Sequence, residues 1–295
     1  MGQEPPPEGW KRVGLDEIKE LGLNPDDFPQ RSSDFYPDEH KDGFFVDLYK
    51  TDPDVFGEEK YILSCRGTQG GKDWQTNAEQ AIGIETDHYT KAMNIAKKAK
   101  RKLGDKLEIT GHSLGGGMAT AAGIGSGSKT YAFNPAGVHQ ETLKRAGEFS
   151  RDNAFSKIDG DPLVDNVVIP GELLTGLQNP ALQRGVIGAS VYTTPLASLV
   201  ALSADSAFRE QGTLTYGMAG VRHDVPLLGN AKEVADATAK GESIQGMTPS
   251  KAGEINTAIN PIKKVDMHGM HSVIAGIEQQ KADDMNVMDN ALKIF

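Results

Sequence analysis

The chain has 295 residues, 38% of them hydrophobic and 24% charged, which supplies one large core and excludes disorder throughout. Its 31 Lys and Arg against 41 Asp and Glu leave a formal charge of -10, which argues against nucleic-acid partners because these require a broad cationic footprint. Cys65 is the only cysteine, so an intramolecular disulfide and a thiolate-rich zinc site are both excluded.

The opening MGQEPPPEGW lacks a charged segment followed by an apolar one, so the chain is expected to be made in the cytoplasm without a secretory signal. Residues 1–30 are rich in Pro and acid and read as an N-terminal extension. In it, Leu15, Ile18 and Leu21 predict a short amphipathic helix on the outside of the domain. Residues 31–295 read as one domain. Past the Pro and Asp cluster at 36–42, the apolar runs 44–49 and 61–65 flank Asp52-Pro53-Asp54 and Gly57, which predicts a β-hairpin. Residues 85–103 take helical spacing and end in a basic run, Lys97, Lys98, Lys100, Arg101 and Lys102. Cations at a helix C-terminus suit its dipole, so the run is read first as a solvated helix end and second as a lipid or nucleic-acid patch.

Residues 107–110 predict a strand, and the uncharged stretch 114–127 a helix buried against a sheet. Further strands are expected at 129–133 and 154–158, with a helix at 138–146 between them. Strands alternating with helices imply an α/β fold with a mainly parallel sheet and helices on both faces. Beyond Asp161 the periodicity degrades until helical segments at 231–240 and after His268, so residues 166–250 read as a long insertion. Within it, 185–204 is uncharged and almost long enough to span a membrane, but Pro195 and its Ser, Thr and Gly residues mark it as a flexible apolar segment, not a transmembrane helix.

Gly111-His112-Ser113-Leu114-Gly115 fits the G-x-S-x-G elbow, which holds a nucleophilic serine on a tight strand-to-helix turn. Its position between a predicted strand and an uncharged helix is the context the elbow requires. The backbone N–H of Leu114, at the helix N-terminus, would supply half of an oxyanion hole. Such a serine needs an imidazole to take its proton and a carboxylate to orient that imidazole, both following it in the chain of an α/β-hydrolase. That order leaves His223, His268 and His271 as bases, His139 being too close to the elbow. Asp161, in Asp159-Gly160-Asp161-Pro162, is the preferred acid, with Asp159 and Asp165 as rivals.

With these residues in view, the chain resembles the class 3 lipases, an α/β-hydrolase family, and most closely their bacterial phospholipase-like secreted effectors. The resemblance rests on Arg66-Gly67-Thr68 with Asp73-Trp74 and Asn77, on Gly111 to Gly116, on Phe133-Asn134-Pro135-Ala136-Gly137, and on Asp161-Pro162-Leu163-Val164. It implies Thr68 as the second oxyanion donor. The segment from His268 to Ile274 resembles the family's base motif, which prefers His268 as base over His271. It implies a phospholipase A acting on membrane phospholipid without metal or organic cofactor. Neutral-lipid lipase or carboxylesterase activity comes next, an acyltransferase would share every motif, and a non-catalytic binding module would give no reason to keep Ser, Asp and His in order with both oxyanion donors. The resemblance also implies peripheral membrane contact, export by a specialised secretion system as an antibacterial toxin, and a cognate inhibitor protein.

Overall fold

A computed structural model describes residues 6, 8–28, 44–67, 87–149, 157–158, 161–172, 174, 218–228, 230–242 and 267–292. The uncharged segment 185–204 lies outside them. The elements in chain order are β1 (Trp10–Arg12), α1 (Leu15–Glu20), β2 (Val46–Thr51), α2 (Pro53–Phe56), β3 (Tyr61–Cys65), α3 (Asp87–Leu103), β4 (Leu107–His112), α4 (Leu114–Ser126), β5 (Lys129–Phe133), α5 (Gln140–Phe149), β6 (Lys157–Ile158), β7 (Asp161–Pro162), β8 (Val164–Val168), β9 (Val221–Asp224), α6 (Ala231–Ala239) and α7 (Met270–Leu292).

The main sheet has the order β1-β2-β3-β4-β5-β8-β9. Its first three strands are antiparallel and the rest parallel, giving the α/β fold. The hairpin between β2 and β3 turns through α2, where the Asp52 side chain accepts from the Asp54 N–H and Gly57 closes the turn at φ +76°. The N-terminal segment is built into this architecture: β1 forms the sheet edge, and Val13, Ile18, Leu23 and Phe28 are buried in the core.

Thr130 and Ala132 of β5 face α4, which carries no side chain at Gly123 because a Cβ there would lie 1.9 Å from Thr130 Oγ1. Phe133 and its register partner Val167 face the other way and join Ile169, Val225, Met267 and Val273 in a second apolar cluster. The sheet is therefore covered by helices on both faces, with the start of α7 on the second. Among the described residues, no helix is long and apolar enough to cross a membrane.

One strand departs from expectation. Lys157–Ile158 belongs to a separate two-stranded sheet with Asp161–Pro162, and the strand beside β5 is Val164–Val168. Asp165 and Asn166 interrupt its apolar run but find partners within the fold, although the buried Oδ1 of Asn166 has none among the described residues. Asp165 meets Lys129 Nζ at 2.5 Å and His223 Nε2 at 2.6 Å, and Asn166 Nδ2 donates to the carbonyls of Ala219 and Val221.

Candidate active site

β4 alternates buried and half-buried residues as a strand with helices above it should, and ends at His112. The next residue, Ser113, has φ 59° and ψ -126°, a region that costs a non-glycine residue about 1–3 kcal/mol and persists only where its surroundings enforce it. Here they do. The Ser113 N–H donates to Phe133 O at 3.1 Å, and its carbonyl accepts from the N–H groups of Gly116, Gly117 and Ala136. A Cβ on Gly115 would lie 2.2 Å from Cys65 O, so the end of β3 can close on the elbow only because residue 115 is glycine.

Leu114 is the first residue of α4 and is buried, with its N–H among those a helix leaves unpaired at its start. The chain after β3 comes alongside it: a Cβ on Gly67 would sit 3.3 Å from Ser113 Cβ. Thr68 follows immediately but lies outside the described residues.

His268 sits 7% exposed just before α7. Its Nδ1 lies 2.6 Å from Oε2 of Glu172, a side chain with no exposure, and the same oxygen accepts from Leu174 N–H at 2.9 Å. A carboxylate only accepts, so Nδ1 carries the proton. Glu172 is presented by a tight turn after β8, in which Gly171 has φ +80° and the Glu172 N–H returns to Ile169 O. The His268 ring lies 4.8 Å from that of His112, the residue preceding Ser113, at an angle of 38°. His112 Nε2 donates to the His268 carbonyl at 2.7 Å. Burial, reinforced by the neighbouring His268 imidazole, pushes His112 down to about 4, so its ring is neutral at ordinary pH.

The other candidates are placed elsewhere. Pro162 O accepts from Lys129 Nζ and Leu163 O from Thr130 N–H. The backbone of Asp161 thus lies where β5 and β8 begin, whereas Ser113 follows the other end of the parallel strands. Of Asp159 no position is described. Asp165 and His223 bond each other. In the register running through His112, Phe133, Val167 and His223, the latter stands three strands from His112, about 14 Å away. His271 lies in the first turn of α7, and its charge also disfavours protonation of His112. Glu172 is not among the candidates read from the sequence. Its signal is a Val-rich run, Val164 to Ile169, closed by Pro170-Gly171 with an acid directly after.

Among the described residues no group of three His, Cys, Asp or Glu side chains could hold a metal ion. Burial pushes the Cys65 thiol up to about 12, which leaves it unreactive.

Over 139 residues the chain is 34% identical to an extracellular phospholipase A1 of Serratia liquefaciens, an alignment covering 47% of this chain. It covers 39% of that relative, so the chain spans well under half of its length. The family model of the Tle-like phospholipase domain matches residues 1–224, from before β1 to the last residue of β9, and takes in both the strained serine and Glu172. The chain belongs to the Tle-like phospholipase domain family.

Proposed function

We propose that this chain is a serine hydrolase of lipid acyl esters in the phospholipase A class, working through Ser113, His268 and Glu172. Glu172 takes the place that the sequence reserved for Asp161. The observation that carries this reading is the buried contact between Glu172 and His268, held against His112 directly beside the strained serine. The family and the phospholipase A1 relative support the substrate class.

With Nδ1 committed to Glu172, His268 Nε2 is the ring nitrogen that takes the Ser113 hydroxyl proton as Oγ attacks the ester carbonyl. The tetrahedral oxyanion is held by the N–H of Leu114 at the start of α4, and the family resemblance supports Thr68 as the second donor. The imidazolium then protonates the leaving oxygen of the lysolipid, and water repeats the sequence to free the fatty acid. The charge on Glu172 stabilises the imidazolium in both halves.

The biological reading is a secreted antibacterial effector restrained by a cognate inhibitor protein. The extracellular relative supports export. Wild-type protein directed to a bacterial periplasm should arrest growth where Ser113→Ala does not, and equal toxicity would reject an enzymatic toxin.

The reaction itself is tested by a fluorophosphonate probe with mass spectrometry of native phospholipids. Labelling on Ser113 and release of lysophospholipid plus fatty acid are expected. Absence of both overturns the proposal, while preference for neutral acylglycerols, or transfer to an added alcohol, replaces phospholipase with lipase or acyltransferase.

A further inference from the structure

We infer that Asn134 is a positioning residue of this centre, a buried side chain that ties the acid-bearing segment to the base-bearing one through their backbones. The inference rests on the triad proposed above. Asn134 follows β5, is wholly buried and has φ 39°, in the left-handed region that few non-glycine residues adopt. Its Oδ1 accepts from the Ile169 N–H at 2.9 Å, three residues before Glu172. Its Nδ2 donates to the carbonyls of His268 at 3.1 Å and Met267 at 3.3 Å. The partners fix the amide orientation, because an N–H cannot accept and a carbonyl cannot donate.

The backbone around it anchors the elbow. Phe133 O receives the Ser113 N–H, Ala136 N–H reaches Ser113 O, and Asn134 N–H itself reaches Val167 O. Residues 133–136 therefore contact the segments bearing serine, acid and base, and Asn134 joins the last two through one planar group. No rotation of that amide relaxes one segment without straining its bond to the other. The bond between His268 Nδ1 and Glu172 Oε2 has its length set by where these two segments sit. A misplacement of about 1 Å at such a contact can cost on the order of 10²-fold in rate.

The test compares Asn134→Gly, which accepts the same φ and removes both sets of bonds, with Asn134→Asp, which keeps the acceptor for Ile169 and loses the donor to His268. Ser113→Ala and Glu172→Gln run in parallel on a soluble ester, and circular dichroism and thermal melts report folding. The expected result is a folded Asn134→Gly with kcat lower by roughly 10- to 100-fold, KM within about twofold and weakening of the downfield proton resonance of the His268 to Glu172 bond. The double variant should then be little worse than Glu172→Gln alone, since both act through one contact. Should Asn134→Gly fail to fold, the same kcat loss and resonance change are expected in Asn134→Asp. Unchanged kcat, a loss confined to KM, or full additivity with Glu172→Gln overturns the inference. If Ser113→Ala retains activity, the triad reading itself fails, whatever Asn134 does.

Discussion

Glu172 and His268, 96 residues apart in the chain, meet at 2.6 Å between Oε2 and Nδ1 with both side chains withdrawn from solvent. A buried carboxylate is costly unless it is partnered, and this one is held by an imidazole N–H and a backbone N–H. In the proposed reaction this carboxylate stabilises the imidazolium that forms on His268.

The serine comes first among the tests. Ser113→Ala leaves the backbone bonds of the elbow in place, so the protein should fold. Its esterase turnover should fall by on the order of 10⁴-fold or more. His268→Ala should be comparably damaging, and the double variant little worse than either. Initial rates on a soluble ester check this. Substantial activity in His268→Ala with loss in His271→Ala would move the base to His271.

The acid is separable by two isosteric changes. Glu172→Gln should lower kcat by roughly 10³- to 10⁴-fold, because an amide neither fixes the imidazole tautomer nor offsets its charge. Asp161→Asn, at the opposite end of the parallel strands, should stay within a few-fold of wild type. The reverse ranking in kcat would restore Asp161 as the acid.

The contrast between these two residues shows what was legible in the sequence. The elbow was readable because its determinants are local: alternation into β4, then an uncharged, glycine-rich stretch that only a buried helix explains. The strand at Lys129–Phe133 and the helices near Asp87–Leu103 and Ala231–Ala239 were legible for the same periodic reasons. The proposed acid was not, because its place depends on which segment pairs with β5. Residues 154–158 look more strand-like than Val-Asp-Asn-Val-Val, whose polar pair makes sense only once Lys129, His223 and the carbonyls of Ala219 and Val221 are brought to it. Mispairing that strand moves the candidate acid to the far end of the sheet. The edge strands Trp10–Arg12 and Val221–Asp224 are too short to leave a periodic signal.

His112 gives a stability signature. Folded, its imidazole stays neutral down to about pH 4, whereas in the unfolded chain it protonates near its ordinary value of about 6.5. Between those values the unfolded state binds the extra proton, so stability rises with pH across this window. It is lost progressively as pH falls from roughly 7 towards 4, by on the order of 1–3 kcal/mol. His112→Gln keeps a donor towards the His268 carbonyl and does not titrate, so it should flatten that part of the slope. Urea midpoints measured from pH 7 to pH 4 check this, and parallel slopes in the two proteins would refute a buried neutral ring.

Membrane approach is the last prediction. A charge of -10 repels an anionic bilayer, though screening at physiological salt confines the repulsion to about 8 Å. The exception in the sequence was the basic run 97–102. It closes α3, and a short turn leads from there to Leu107, where β4 begins. Ser113 follows the other end of β4, roughly 20 Å along the strand. A bilayer touching the basic run would therefore meet the wrong end of the sheet, and Lys100 is already partnered by Asp105 at 2.8 Å. We expect the elbow end to reach lipid by apolar contact. Changing Lys98, Lys100 and Arg101 to Gln should then leave phospholipid turnover and vesicle binding within about twofold, and raising salt should leave binding unchanged or improve it. Vesicle sedimentation across a salt series decides. Steep loss of wild-type binding with salt, abolished by the three substitutions, would assign membrane recruitment to the far end of the sheet.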